Sequence, residues 1–420
     1  MTYQVTQLDN GLRIASESGK DGYSASFAIA VDVGARHETV SEGGLSHLLE
    51  HMAFKGSASL TAKQIAEAFD LMGGNVNAYT SHEHTVYYAK VLKEYAHDAL
   101  ELLCAIIADF AFDQQELERE RQVILQEIAM HQDSPDDVVF DLFQEMAFGK
   151  QPLGRSILGT PERVASFTRE DLIAYTAKHY VPQRMVVAAA GNVDHVDVCG
   201  TVARHFGSRP RGAEVAPMEI GSYTGGEKTQ EKELEQVQLV VGYPGVSTHH
   251  DDYFPLQMLA TVLGGGMSSR LFQEIREKRG LAYSVSAFAT GYNDVGVLGI
   301  YAGTTVEHLG ELTGALQEVL GDALNHIGEA ELLRAKNQLK AGVVMTRENC
   351  GAVSEWIARH LLVYGRYKSA EEIVGLLDAV TIPDMQRAGA ACLNAGKPTI
   401  AALGPEGSVN HAKLAQKFAA

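Results

Sequence analysis

Cysteine is scarce in this chain, and its few cysteines stand far apart. The four of them, Cys104, Cys199, Cys350 and Cys392, form no Cys-x-x-Cys pair among 420 residues. This pattern excludes a disulfide framework and is typical of small buried residues in a reducing compartment. The first residues also lack a basic start followed by an apolar run, so they predict no signal peptide. We therefore expect a cytoplasmic protein.

Long apolar runs and an excess of basic charge are missing as well. No stretch approaches the length of a membrane span, so we expect no membrane association. The chain has 35 Lys and Arg against 53 Asp and Glu, a formal net charge of -18, which argues against nucleic-acid binding. An acidic surface would favour basic peptides or cations, although a solvated surface explains the charge equally well.

What is present indicates two globular domains. A length of 420 residues, with 45% hydrophobic and 21% charged residues, suits two domains of roughly 200 residues each. In the first half, alternating segments such as 3–8 predict strands that return through a tight turn at Asn10 and Gly11. Segments 93–110 and 114–131 have the spacing of consecutive helices. Antiparallel strands with helices in runs favour an α+β fold.

The second half repeats this order of elements, which indicates an internal duplication at an offset of roughly 210 residues. A segment rich in Gly, Pro, Ser and charged residues, 208–235, separates the halves and predicts a linker. We therefore predict two duplicated α/β-sandwich domains, 1–207 and 236–420, each a mostly antiparallel sheet packed with helices.

The most informative stretch contains His47, Glu50 and His51 within five residues of an apolar, helix-prone segment. On a helix, the two imidazoles stand one turn apart on one face. They could share a metal ion, and the carboxylate beside them could take a proton from a water on that ion. The pattern His-x-x-Glu-His is the known inverzincin signature. The alternative is a helix with two satisfied, partly buried histidines and a surface Glu.

A catalytic zinc site needs a third protein ligand. The helix predicted at 114–131 offers four candidates, Glu116, Glu118, Glu120 and Glu127. Glu120 and Glu127 are seven residues apart and share a face, but spacing alone does not choose among the four. The corresponding segment of the second half is apolar and lacks histidine, so it can hold no equivalent site.

Several motifs resemble those of the pitrilysin family of metallopeptidases, in particular its shorter branch, which includes mitochondrial processing peptidase. The matching segments are GGLSHLLEHMAFKG (43–56), NAYTSHEHT (77–85), ERQVILQE (120–127), PLGRSILGT (152–160) and GGGMSSRLF (264–272). The resemblance implies a zinc ion held by His47, His51 and Glu127. It also implies that Glu50 is the general base and that Glu120 is the hydrogen-bond partner of a ligating imidazole.

The same resemblance assigns residues that bind substrate. Arg276 and Tyr283 match the Arg and Tyr that bind the peptide and polarise its scissile carbonyl. The strand containing Asn77, Ala78 and Tyr79 matches an edge strand that binds peptides by strand addition.

Two further histidines follow that strand. His82 and His84 alternate onto one face and could be read as another metal pair. No third donor accompanies them in the sequence, and histidine is ordinary in strands, so we interpret them as structural.

These features predict a zinc-dependent endopeptidase. The resemblance implies that it hydrolyses extended, unfolded peptides or presequences inside a chamber. Since the metal motif and the Arg/Tyr pair lie on one chain, the resemblance implies a homodimer in which Arg276 and Tyr283 act on the zinc site of the other subunit. Two alternatives stay open. The chain could be the catalytic half of a heterodimer, or a non-catalytic structural subunit, although such relatives typically lose a metal ligand and this chain keeps all three.

Overall fold

The computed structural model describes residues 2–19, 22–213, 218–408 and 418. The chain forms two compact units, each built from three segments. Unit 1 contains Met1–Ala129, Ser156–Met218 and Met345–Lys368, and unit 2 contains Met130–Arg155, Glu219–Val344 and Ser369–Ala420. Part of the predicted linker, 214–217, lies outside the described residues.

The chain contains runs of strands followed by runs of helices. The strands are β1 (Thr2–Gln7), β2 (Arg13–Ser18), β3 (Ser24–Val31), β4 (Asn75–Thr80), β5 (Thr85–Leu92), β6 (Met185–Gly191), β7 (Gly226–Glu231), β8 (Val237–Gly245), β9 (Ala282–Gly291), β10 (Gly296–Thr304) and β11 (Thr399–Gly404). The helices are α1 (Leu45–Ala53), α2 (Ala62–Leu71), α3 (Ala96–Ala108), α4 (Gln114–Gln132), α5 (Pro135–Phe148), α6 (Pro161–Ser166), α7 (Arg169–His179), α8 (His195–Phe206), α9 (Tyr253–Gly264), α10 (Leu309–Asn325), α11 (Glu329–Thr346), α12 (Cys350–Tyr364), α13 (Ala370–Ala379) and α14 (Ile382–Asn394). Among the described residues, no helix is both long and apolar enough to cross a membrane.

Unit 1 is organised around a six-stranded sheet with the order β1-β2-β6-β3-β5-β4. All neighbours pair antiparallel except β2 and β6. Both faces of the central strand β3 are buried, because Phe27 and Ile29 point into the core that contains α1 while Ala28 and Ala30 point into the core that contains α12. A strand covered on both faces loses its polar alternation, which explains the continuous apolar sequence of β3.

Unit 2 repeats this arrangement with a five-stranded sheet in the order β7-β11-β8-β10-β9. Only β7 and β11 pair parallel. Helix α5 covers one face through Phe143 and Phe148, which pack with Val240 and Leu403, and α9 contacts β9 and α14. The duplicated α+β architecture predicted from the sequence is therefore confirmed.

The two units are not the contiguous segments 1–207 and 236–420 of the sequence prediction. Helix α5, from the first half, belongs to unit 2, and helix α12, from the second half, belongs to unit 1. Each of these helices covers an apolar sheet face that its own unit would otherwise expose to water. The period of a helix sequence can show that one face is apolar, but it does not say which sheet that face covers.

Candidate metal centre

Helix α1, which carries the histidine motif, begins at Leu45 after a tight turn at Gly44. The φ of Gly44 is 94°, and a Cβ there would lie 2.8 Å from a neighbouring carbonyl oxygen, so only glycine fits. The N–H groups of Gly44 and Ser46 donate to the buried carboxylate of Glu38 at 2.8 and 2.7 Å. A negative charge therefore caps the positive end of the helix and anchors the turns that follow.

The apolar face of α1 decides where its histidines point. Leu48, Leu49 and Met52 are at most 1% exposed in the core of unit 1. Burying each such side chain contributes about 2 kcal/mol, so the helix has a strongly preferred rotation about its axis. His47 and His51 then share another face, with ring centroids 4.7 Å apart.

Helix α4 brings a carboxylate to these imidazoles. Its buried residues Leu117 and Ile124 hold it against the same core. The Oε2 atom of Glu127 lies 3.6 Å from His47 Nε2 and 3.4 Å from His51 Nε2. The three residues named as ligands from the sequence are thus brought together.

The geometry of this group fits a metal ion. One ligand atom from each of His47, His51 and Glu127 lies within 4.8 Å of the others. A tetrahedral zinc site with bonds of roughly 2.1 Å separates its ligand atoms by roughly 3.4 Å, which is close to the carboxylate distances observed. Two imidazoles and one carboxylate with a position left for water is a donor set of catalytic zinc sites, whereas Ca²⁺ and Mg²⁺ prefer oxygen ligands.

A hydrogen-bonded chain extends outward from His51. Its Nδ1 lies 3.0 Å from Oε2 of Glu120, and Oε1 of Glu120 lies 2.8 Å from Nζ of Lys55. Burial raises the pKa of Glu120, but the bonds from His51 and Lys55 outweigh burial and lower the pKa below its ordinary value. An ionised Glu120 accepts the Nδ1 proton of His51 and leaves Nε2 to face the metal position. Sequence reasoning missed Lys55, although it lies inside the 43–56 motif.

The metal-free imidazoles differ in their affinity for protons. Burial lowers the pKa of His51, but hydrogen bonds to Glu120 and Glu127 outweigh it and raise the pKa to about 9. Burial and the neighbouring charge of His51 lower the pKa of His47 to about 4. At neutral pH His47 is therefore neutral and His51 carries an extra proton, which metal binding at this site would release.

Glu50 lies beside the ligands without belonging to their group. Its Oε2 accepts a hydrogen bond of 2.5 Å from the hydroxyl of Thr80, the last residue of β4. Burial raises the pKa of Glu50 above its ordinary value. A carboxylate with a raised pKa next to a metal position is suited to accept and return a proton. Thr80 has no role in the sequence prediction.

Strand β4 forms an edge of the unit 1 sheet and pairs with β5 alone among the described strands. Val76 and Ala78 pack against the core that contains α1, whereas Asn77 and Tyr79 alternate to the opposite side. Tyr79 is 40% exposed, and burial and nearby Glu355 raise its pKa to about 12. The N–H of Ala78 donates to Oδ1 of Asn77 at 2.9 Å. As an edge strand, β4 has backbone groups that another strand could pair with.

The structure places Arg276 and Tyr283 in unit 2. The guanidinium of Arg276 stacks 4.1 Å from the centre of the Tyr283 ring and 4.7 Å from that of Phe272. It also donates to the carbonyl oxygen of Tyr283 at 3.2 Å. Tyr283 is 74% exposed at the start of edge strand β9. Arg276 and Tyr283 thus form a stacked pair in which the Tyr283 ring faces solvent.

A second group of histidines surrounds the end of β3. The Nδ1 atom of His84 lies 3.9 Å from a carboxylate oxygen of Asp32. In the part of the chain that the structure describes, neither His82 nor His84 belongs to a group of three possible ligands close enough to share a metal ion. Close by, Arg184 contacts Nδ1 of His179 at 2.9 Å.

The low pKa values of His37 and His179 make unit 1 sensitive to acid. Burial, followed by the charge of Arg184, lowers the pKa of His37 to about 2 and that of His179 to about 3, against 6.5 when unfolded. The unfolded chain therefore binds more protons below pH 6.5, so stability is full above that pH and falls as the pH drops toward 3. At about 1.4 kcal/mol per pH unit, each histidine costs up to about 2 kcal/mol at pH 5.

Urea unfolding of chelator-treated protein at pH 7, 6 and 5 checks this expectation. We expect the free energy of unfolding to decrease as the pH is lowered from 7 to 5, and to decrease less in the His179→Gln variant. The exposed His326, which pairs with Asp322 in unit 2, gives a matched control, because His326→Gln should keep the wild-type slope. If the free energy of unfolding of unit 1 does not change between pH 7 and pH 5, the lowered pKa values of His37 and His179 are contradicted.

Comparison with known proteins agrees with this site. A family model described as "Insulinase (Peptidase family M16)" matches residues 13–161. A second, described as "Peptidase M16 inactive domain", matches residues 166–339. The first match contains the histidine motif and Glu127, and the second contains the Arg/Tyr pair.

Similar proteins extend over almost the whole chain. A protein of Rickettsia bellii named "Uncharacterized zinc protease" is 40% identical over 96% of this chain and 98% of its own length. The zinc protease YmxG of Bacillus subtilis is 39% identical over 89% of this chain and 91% of its own. These relatives are named as zinc proteases.

Solved structures support the fold. A protease from Helicobacter pylori superposes with a TM-score of 0.87 at 23% identity, covering 96% of this chain and all of that one. A chain of Complex III2 from Candida albicans superposes with a TM-score of 0.85 at 20% identity, covering 99% of both chains. A Pseudomonas fluorescens protein described as a peptidase M16 inactive domain superposes with a TM-score of 0.87 at 20% identity, covering 96% of this chain and 98% of that one.

Proposed function

Because the chain belongs to the M16 family, the pitrilysin-like peptidases that its motifs resemble, we propose that it is a zinc-dependent endopeptidase acting on extended, unfolded peptides or presequences. The observation that carries the proposal is one constellation in unit 1. His47, His51 and Glu127 offer three convergent ligand atoms, and a separate carboxylate, Glu50, lies beside them. A structural subunit would need neither the complete ligand set nor the additional base.

The residues of the site have distinct roles in hydrolysis. Zinc bound by His47, His51 and Glu127 would lower the pKa of a water and polarise the peptide carbonyl. Glu50 accepts the proton of the attacking water and returns it to the leaving amine, which its raised pKa favours. Glu120 keeps His51 in the tautomer whose Nε2 faces the metal.

We place the substrate along β4. An extended peptide pairs with the outer backbone of this edge strand, where Asn77, Ala78 and Tyr79 are its contacts. Backbone pairing holds many sequences in one extended form, which suits a peptidase of broad specificity. Chamber-like enclosure of such peptides belongs to this proposal and rests on the family resemblance.

Replacing Ala78 with Pro tests the strand. Proline removes the N–H that now donates to Asn77, and within sheets proline is found on edge strands such as β4. Losing one hydrogen bond should raise KM by roughly 2- to 10-fold with little change in kcat. Ala78→Ser keeps the N–H and serves as the control. Equal KM values for Pro and Ser variants would show that peptides bind elsewhere.

Arg276 and Tyr283 complete the proposed site by binding the substrate carbonyl, supported by their stacked arrangement and the exposure of Tyr283. We further propose a cytoplasmic homodimer in which this pair serves the zinc site of the other subunit. Mixed dimers of Glu50→Gln and Tyr283→Phe chains should then regain part of the activity that each variant lacks alone. Failure of exchanged subunits to do so would contradict the arrangement in trans.

A fluorogenic peptide assay with and without chelator, on protein expressed alone and sized by light scattering, tests the function. Zinc-dependent cleavage by a homodimer supports the proposal. The description of one matching family model as an inactive domain favours a second candidate, a non-catalytic subunit. Stoichiometric zinc with no cleavage of any peptide in a mixed library would favour that candidate, and cleavage only after a partner chain is added would indicate a heterodimer.

A further inference from the structure

Thr80 connects the edge strand β4 to the side chain of Glu50. Its hydroxyl donates to Oε2 of Glu50 at 2.5 Å. The two residues are 30 positions apart in sequence, and α1 contacts β4 directly. The bond is therefore a tertiary contact between the helix of the metal ligands and the strand at the sheet edge.

The position of Thr80 follows from the alternation of the strand. Val76 and Ala78 face the core that contains α1, and Thr80 continues on the same side. Its hydroxyl can reach Glu50 only because this is the side on which α1 packs. Asn77 and Tyr79, on the opposite side, have no path to the carboxylate.

The hydrogen bond restricts a side chain that would otherwise be free to rotate. The backbone of Glu50 is held within α1 next to His51, but a Glu side chain has three rotatable bonds and loses substantial freedom when it is fixed. A hydroxyl donating to a carboxylate forms a short, charge-assisted bond. With Oε2 engaged by Thr80, Oε1 is the oxygen left to accept a proton.

We propose that Thr80 is a positioning residue that orients Glu50 for proton transfer and links the base to the strand that binds the peptide. This inference rests on the proposed peptidase function. Because Thr80 ends the strand on which the substrate pairs, the bound peptide backbone and the catalytic base share one rigid support. Pairing a peptide along β4 then sets the distance between its scissile bond and Glu50 without a separate adjustment of the base.

The variants Thr80→Val and Thr80→Ser test this role. Val has the shape of Thr without the hydroxyl, so we expect kcat to fall by about 10-fold while KM stays within about 2-fold. Ser keeps the hydroxyl and should restore kcat to within about 3-fold of wild type. Zinc content and the midpoint of thermal unfolding should match wild type in both variants.

A kcat of Thr80→Val equal to that of wild type would overturn the proposal. So would an effect of Thr80→Val on KM alone, or a kcat of Thr80→Ser as low as that of Thr80→Val. Crystal structures of the three proteins give a readout that does not need activity. Glu50 should occupy one rotamer in wild type and Thr80→Ser and leave it in Thr80→Val. If the wild type cleaves no peptide, the peptidase function fails, and an unchanged Glu50 rotamer in Thr80→Val would still refute the positioning role separately.

Discussion

Replacing Glu50 with Gln will abolish peptide hydrolysis while zinc stays bound. Gln has nearly the same size and can still accept the hydrogen bond from Thr80, so the site keeps its shape. It cannot take a proton from the attacking water, and losing a positioned general base typically costs about 100- to 10,000-fold in kcat. Steady-state cleavage of a fluorogenic peptide measures the loss, and metal analysis of the same sample measures zinc.

A matched control separates the loss of the base from a general loss of charge. Glu67 on α2 is an exposed carboxylate that pairs with Lys63 across one helical turn. Glu67→Gln removes the same charge away from the site and should keep full activity. If Glu50→Gln were as active as the wild type, another group would have to act as the base.

Replacing Glu127 with Ala will remove zinc from the purified protein. The remaining imidazoles of His47 and His51 are two ligands, fewer than the three of catalytic zinc sites. The side chain of Glu127 is 43% exposed, so its removal should leave the fold intact. We expect zinc well below one ion per chain after dialysis, with a thermal midpoint equal to that of chelator-treated wild type.

Two further glutamates of α4 complete this experiment. Glu120→Gln keeps all three ligands but weakens the support of His51, so zinc affinity should fall by about 10- to 100-fold without complete loss. Glu118 pairs with Arg121 at the surface of the same helix, and Glu118→Ala should bind zinc like the wild type. Stoichiometric zinc in Glu127→Ala would mean that the third ligand lies elsewhere.

The choice of Glu127 shows how far sequence reasoning reaches. Helical spacing left Glu116, Glu118, Glu120 and Glu127 as candidates, and only the family resemblance selected one. The structure gives a physical reason, because Glu116 and Glu118 pair with arginines three residues away. Glu127 instead lies on the side of α4 that approaches the histidines.

Of the contacts that sequence reasoning missed, those of Lys55 and Thr80 join residues far apart in the chain, whereas Glu38 lies six residues before its partner Gly44. Glu38 caps α1 from outside the helix, Lys55 reaches Glu120, and Thr80 reaches Glu50. None of these residue types is unusual at its position, and none forms a spacing pattern with its partner. Their roles exist only once the strands and helices have packed.

The sequence by itself determined the local features of this protein. One helical turn separates His47 from His51, alternation places Asn77 and Ala78 on opposite sides of a strand, and the order of elements shows the duplication. The first two properties depend on neighbours within a few residues, where backbone geometry is regular, and the third follows from the order of such local patterns along the chain.

Only the tertiary structure decided which sheet α5 and α12 cover and which hydroxyl holds Glu50. These outcomes depend on how apolar faces pack to exclude water. That packing is a property of the whole chain, and many distant pairs of residues are equally compatible with the same local pattern.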